Sequence, residues 1–222
     1  MSSSIPLFDH VAVRVRERNA CADEAVELLG WSVIDHTERL TLLGSADEAG
    51  KLTLLDATVP TDPASPRVVG IVCTGSAPAP DEHQAVRHVA GVDVTYGAHI
   101  DGMCDGSIAG VTIAVPDVDA ATRSLGALPH TAASAQAGRV AIGTQWIQFV
   151  SAEEYPDGGV MLDHLGVRID QIDHVLAWSE QSDVDVERVE AARSSALFMP
   201  LIASSRMEYI EVHAPARMAG RS

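Results

Sequence analysis

Apolar and polar positions alternate along this chain in a pattern that recurs. FDHVAVRV, residues 8–15, is a β-branched run with the period of a strand. CADEAVELLGW follows, with Cys21, Ala25, Leu28 and Leu29 at helical spacing and Gly30 as a natural C-terminal stop. WSVIDHT, RLTLLGS and KLTLLDA then read as three strands, so the order is β-α-β-β-β. The end of the chain repeats it. LDHLGVRI, residues 162–169, predicts a strand, and QIDHVLAWSEQ a helix with Ile172, Val175 and Leu176 on one face. VDVERVEA, SSALFMPL and RMEYIEVHA predict three closing strands.

A third copy lies between these two: strand GVTIAVPD, helix VDAATRSLGAL, and a hairpin of RVAIGTQ with WIQFVS. The stretch from Pro60 to Gly106 fits least well. There VVGIVCTG reads as a strand, DEHQAVRHV as a helix and GVDVTY as a strand, while TVPTDPASP and TGSAPAP read as loops. The pattern predicts an α+β protein of repeated βαβββ modules at 5–57, 66–106 (degenerate), 107–152 and 161–215, grouped into halves 1–106 and 107–222.

Composition narrows the function. Lys plus Arg is 15 against 31 for Asp plus Glu, a formal net charge of −16 spread along 222 residues. Such a surface repels phosphate backbones, which excludes nucleic acid as the expected partner. No apolar run approaches the roughly 18 residues of a membrane span. MSSSIPLFDH has no leader-peptide pattern. The three cysteines, Cys21, Cys73 and Cys104, are odd in number and lack C-x-x-C spacing, so buried free thiols and a reduced cytoplasm are expected. Phosphate-loop glycine spacing and the Gly-x-Ser-x-Gly elbow are both absent.

The two outermost first strands share one motif: Asp-His, an apolar residue, a small residue, Val, Arg, then Val or Ile. A lone strand histidine is usually structural; His10 and His164 at equivalent places in a repeat suggest a shared role. A repeated βαβββ unit with this histidine, closed by a strand such as MEYIEV, resembles the vicinal oxygen chelate superfamily, which includes glyoxalase I, extradiol dioxygenases and bleomycin-binding proteins. The resemblance implies modules paired into cupped mixed sheets, each cup able to hold one divalent metal between first and last strands. It places His10 and His164 at the first-strand ligand position and Glu208 at the last-strand one, with Thr53 and Gln148 at the corresponding places of modules one and three. The first-strand position reads His10, Gly70, Gly110 and His164. Pairing module one with four and two with three, as in fused glyoxalases, would gather His10, His164 and Glu208 and leave the inner pair without ligands. LIASSRMEY stands where many relatives have Asp-Pro-x-Gly before the last strand, and the Phe-Tyr pair of the first helix is missing, so no particular branch is indicated.

Two imidazoles and one carboxylate suit Fe(II) first, with Mn, Zn, Ni or Co as other occupants, and three protein ligands leave positions open. The leading expectation is therefore a metal-dependent enzyme acting on a small oxygen-rich substrate by Fe(II)-dependent dioxygenation. A lyase or isomerase working through an enolate is the second, with Glu211, His99 or a carboxylate from the helix-strand loops as candidate base. A metal-free small-molecule binder is the third, and an acidic scaffold the fourth. Asp9 and Asp163, next to the histidines, are expected on the opposite face or at the sheet edge, as Tyr209, Glu211 and His213 are relative to Glu208. His36 falls on a strand, His83, His88 and His174 on predicted helices, and His130 in a loop. Monomer and homodimer are both compatible with four modules in one chain.

Overall fold

In the computed structural model, residues 6–45, 50–57, 64–76, 86–101, 103–156, 158–191 and 194–213 are described. The first module is β1 (Leu7–Val15), α1 (Arg18–Leu29), β2 (Ser32–His36), β3 (Leu40–Gly44) and β4 (Lys51–Asp56). Helix α1 buries Ala22, Ala25 and Leu29 along one stripe. It ends where Gly30, at φ 66°, donates its N–H to the Val26 carbonyl, a left-handed cap that glycine adopts without side-chain strain. The second module contributes β5 (Arg67–Thr74), β6 (Val86–Val89) and β7 (Val92–Ala98). The third is β8 (Ile108–Val115), α2 (Val118–Gly126), β9 (Ala132–Ala133), β10 (Arg139–Ile142) and β11 (Gln145–Ser151). The fourth is β12 (Val160–Ile169), α3 (Ile172–Ser182), β13 (Glu187–Glu190), β14 (Ser194–Pro200) and β15 (Arg206–Val212).

Two expectations change. Residues 86–89, expected at the end of a helix, form strand β6 paired with β7; Arg87 and Val89 are buried while Val86 and His88 are exposed, the period of two that a strand imposes. His88 therefore sits on a strand, 3.0 Å from Asp93 across the hairpin. His83 and the rest of that expected helix, 81–85, lie outside the described residues, as do 58–63 and 77–80 of the expected loops. The third module also gains β9, two alanines too short for any periodic signal.

Strand β1 runs antiparallel to β12, with β4 parallel to β1 and β15 parallel to β12. The outer unit is thus β2-β3-β4-β1-β12-β15-β14-β13. The inner unit, β6-β7-β5-β8-β11-β10-β9, is built around the antiparallel pair β5–β8. Module one is paired with four, and two with three. The units join through β12 and β5 at Val160–Val68 and Met161–Arg67, making one 15-stranded mixed sheet. Helix α1 packs on β3, β4 and β6, α2 on β10 and β11, and α3 on β14 and β15. Leu54, Ile71, Ile113, Leu165 and Tyr209, one or more from each module, belong to a single hydrophobic core. Tyr209 faces away from Glu208 as expected and donates its hydroxyl to the Pro129 carbonyl at 2.6 Å.

Where no ladder links β1 to β8, a buried side chain does. Gln145 accepts the Phe8 N–H at 2.9 Å and donates to the carbonyls of Phe8 and Ile108 at 3.2 and 2.7 Å. Gly50 adds two backbone bonds to the same pair of residues. Arg67 donates to the carbonyls of Tyr155, Pro156 and Gly158, holding the turn that leads into β12. None of the three cysteines is in a disulfide; Cys73 is buried, and burial pushes its thiol up to about 12, but Cys21 is half-buried and Cys104 exposed, contrary to expectation. No helix among the described residues is long and apolar enough to cross a membrane. Gln145→Leu keeps most of the volume but leaves the Phe8 N–H buried and unpaired; urea unfolding should show a loss of about 2–4 kcal/mol, and an unchanged midpoint would show that the junction does not rely on this side chain.

Candidate metal centre

The β1–β12 pair carries one extra residue on each strand. Phe8 and His10 face Val167 and Gly166, leaving Asp9 unopposed, and Ala12 and Val13 face His164 and Leu162, leaving Asp163 unopposed. A bulge of this kind redirects side chains locally. The strict alternation expected for the two aspartates therefore fails. Instead of lying behind the sheet, Asp9 places Oδ2 3.0 Å from His10 Nδ1, and Asp163 places Oδ1 2.6 Å from His164 Nδ1.

The far sides of the two rings meet. His10 Nε2 and His164 Nε2 are 2.9 Å apart, and Glu208 Oε2 lies 3.3 Å from the first and 3.2 Å from the second. In the β12–β15 ladder Glu208 is opposite Gly166, and Thr53 is opposite Ala12 in the β1–β4 ladder, so Thr53 holds the equivalent place with a hydroxyl in place of a carboxylate. Gly166 is required by close approach: a Cβ there would lie 2.4 Å from the His10 ring. Phe198, opposite Glu208 on β14, meets the His164 ring edge-on with centroids 5.6 Å apart. His10 and His164 are buried, at 8% and 9% exposure.

Charge surrounds the aspartates. Asp9 Oδ1 is 2.6 Å from Arg168 Nη2 and 3.2 Å from Lys51 Nζ. Asp163 Oδ2 is 2.5 Å from Arg14 Nη2, and its Oδ1 is 4.0 Å from Arg206 Nη2. Burial opposes ionisation of Asp9, but the hydrogen bond and charge of His10, with Lys51 and Arg168, hold its carboxyl far below the usual range. Burial is likewise outweighed at Asp163, by His164 and Arg14, and its pKa is lowered. Ionised carboxylates only accept, so each histidine must carry a proton on Nδ1 and turn Nε2 to the centre. There, burial disfavours charge on His10, but hydrogen bonds and charges from Asp9 and Glu208 raise its pKa to about 9. Burial would raise Glu208; hydrogen bonds to His10 and His164 and their charges bring it to about 2. The centre calls for positive charge.

A divalent ion satisfies that demand geometrically. Ligand atoms bound at about 2.1 Å and at right angles are ~3.0 Å apart, close to the three measured edges. His10, His164 and Glu208 could therefore hold a metal ion, and they are the only cluster of this kind among the described residues.

Other candidates lie elsewhere. His99 is exposed beside Asp101, at 3.2 Å. Glu211 accepts the Ile172 N–H at 2.8 Å, at the start of α3. His213 bonds Ser195 at 2.9 Å and His36 bonds Thr41 at 2.9 Å. The inner pair keeps the bulges but not the chemistry. Val69 and Ala109 stand where the aspartates do, and Gly70 and Gly110 where the histidines do. The Trp146 indole takes the imidazole's space, 2.2 Å from where a Gly110 Cβ would be. Gln148, opposite Thr112 in the register of Glu208, accepts from Arg139 at 3.3 Å and donates to the Ala137 carbonyl at 3.1 Å. Sequence reasoning passed over Arg14, Lys51, Arg168 and Arg206; the signal for two of them was an arginine repeated at one place in both apolar Asp-His strands. Gly166→Ala should displace the His10 ring and weaken Zn(II) binding, measured by chelator competition, by about tenfold or more, whereas Gly70→Ala, whose Cβ would meet Thr112 at 3.3 Å and the Asp93 carbonyl at 3.8 Å, should leave it unchanged.

No protein-family model matches this chain, and no curated protein sequence does. Solved structures do match in fold. One is a "putative dioxygenase" from Bacillus subtilis subsp. subtilis str. 168, with a TM-score of 0.57, 12% identity, and coverage of 95% of this chain and 86% of that one. Another is glyoxalase I from Zea mays, with a TM-score of 0.56, 10% identity, and coverage of 94% and 93%. With its repeated modules paired one with four and two with three, the chain has a glyoxalase-like fold, the one seen in these two structures.

Proposed function

We propose that this protein is a metal-dependent enzyme that uses Fe(II) to dioxygenate a small oxygen-rich substrate held through two neighbouring oxygens. The observation that carries this reading is the convergence of two imidazole Nε2 atoms and one carboxylate oxygen at 2.9, 3.2 and 3.3 Å. His10, His164 and Glu208 would hold the ion. A ferrous ion held by this set would supply open coordination positions and positive charge for anionic oxygen. Asp9 and Asp163 keep the Nδ1 protons in place, so that Nε2 of each ring is the nitrogen that would bind the ion, His10 giving up its Nε2 proton as it does so. Gly166 leaves room for the His10 ring, and burial of the rings keeps bulk water from competing for the site. Val186, Phe198, Met199, Pro200 and Arg206 line a groove of about 400 Å³ that none of the three ligands enters, its link to the centre being Phe198, which packs on the His164 ring.

Two observations favour this reading over its rivals. Thr53, in place of a second carboxylate, leaves three protein ligands. A lyase or isomerase needs a base near the metal, but Glu211 is committed to the start of α3 and His99 is exposed with Asp101. A metal-free binder has no use for three converging ligand atoms. The fold likeness to a "putative dioxygenase" is consistent with the proposal and extends over 95% of this chain.

The test is metal content by elemental analysis for wild type and His164→Ala, purified without chelator, with oxygen uptake on catechols after anaerobic loading with Fe(II). Near-stoichiometric metal that disappears in the variant, with uptake in the wild type, is expected. Wild-type protein that takes up no metal even after Fe(II) loading would sink the proposal. Bound metal with proton exchange on an enolisable substrate and no oxygen uptake would transfer the site to lyase or isomerase chemistry.

A further inference from the structure

We propose that Arg14 and Arg168 are positioning residues that act crosswise, the arginine of each repeat setting the imidazole of the other. The inference rests on the metal-centre reading above. Arg168 on β12 reaches Asp9 on β1, which orients His10; Arg14 on β1 reaches Asp163 on β12, which orients His164. Each carboxylate divides its oxygens in the same way. Asp9 gives Oδ1 to Arg168 at 2.6 Å and to Lys51 at 3.2 Å, and Oδ2 to His10 Nδ1 at 3.0 Å, with Lys51 also reaching Oδ2 at 3.4 Å. Asp163 gives Oδ2 to Arg14 and Oδ1 to His164 Nδ1. A carboxylate with one oxygen held by a cation cannot rotate freely, so the other oxygen keeps its aim at the ring. Planar guanidinium suits such a charge-assisted bond.

The inner unit serves as a control within the same chain. It has the same pair of bulges, but Val69 and Ala109 replace the aspartates and Gly70 and Gly110 the histidines. The arginine positions there are Thr74 and Ala114. Lys51 and Arg206 correspond to Asp93 and Trp146 by register. Among the four modules, guanidinium at this place of the first strand occurs with the Asp-His pair and is lost with it. The bulges do not need the arginines; the aimed imidazoles do. Crosswise action also ties ligand geometry to the alignment of strands far apart in the chain, since either imidazole is fully aimed only when β1 and β12 are in register.

The experiment is NMR of ¹⁵N-histidine protein, metal-free and Zn(II)-loaded, for wild type, Arg14→Met and Arg168→Met, with Zn(II) affinity by chelator competition. In Arg168→Met the Nδ1 proton of His10 should lose protection from solvent exchange while that of His164 keeps it; Arg14→Met should do the reverse. Each variant should bind Zn(II) about tenfold more weakly, and Arg168→Lys should recover part of both effects. An effect on the histidine of the variant's own strand, an equal effect on both, or none would overturn crosswise action. Should a Met variant fail to fold, the Lys variant at that position carries the same readout, with a partial loss of protection expected at the opposite histidine. If the wild type binds no metal, the metal reading fails by that result, and proton protection in the metal-free protein still decides the crosswise contact.

Discussion

The antiparallel contact between β1 and β12 places two buried histidines and two buried aspartates, with two partly exposed arginines, in a strand pair that is otherwise apolar. Its two bulges make this tolerable. On a regular strand Asp9 and His10 would point to opposite faces, and one charged group would be buried without its partner, at a cost of several kcal/mol. With one extra residue on each strand, carboxylate, imidazole and guanidinium meet instead. Buried charges that are mutually hydrogen-bonded specify one register, because a slip of one residue would strand all of them.

The inner pair shows that this backbone geometry does not depend on the charges. Bulges recur at Val69 and Ala109 with no aspartate present, and Trp146 fills the space left by Gly110. The scaffold is thus common to both units and the chemistry confined to one. The inner unit still contributes, since Gln145 on β11 secures the end of β1 that carries Asp9 and His10, and the Ile108 N–H on β8 bonds Gly50 of module one.

Charge is distributed against the overall composition. The chain carries −16, yet Arg14, Lys51, Arg168 and Arg206 gather around Asp9 and Asp163, four of its 15 basic residues. Local neutralisation keeps the aspartates ionised and accepting, and that sets the protonation of both rings. The centre then holds two imidazole Nε2 atoms and one carboxylate, which positive charge reconciles, either a proton on His10 or a bound cation.

The sequence by itself determined the elements with a long period: three helices, the apolar first strands, and the equivalence of residues 8–15 with 162–169. It also paired His10 with His164, because a repeat makes equivalent positions visible without any structure, whereas Glu208 entered only through the resemblance. Short or pair-dependent features escaped it. Strand β6 is four residues beside a polar stretch, and β9 is two alanines. The faces of Asp9 and Asp163 were misjudged because a bulge belongs to a pairing of two strands and not to either strand alone. For the same reason the partners of Arg14 and Arg168 were invisible. His10 and His164 are 154 residues apart, and only the register between their strands decides which oxygen meets which nitrogen.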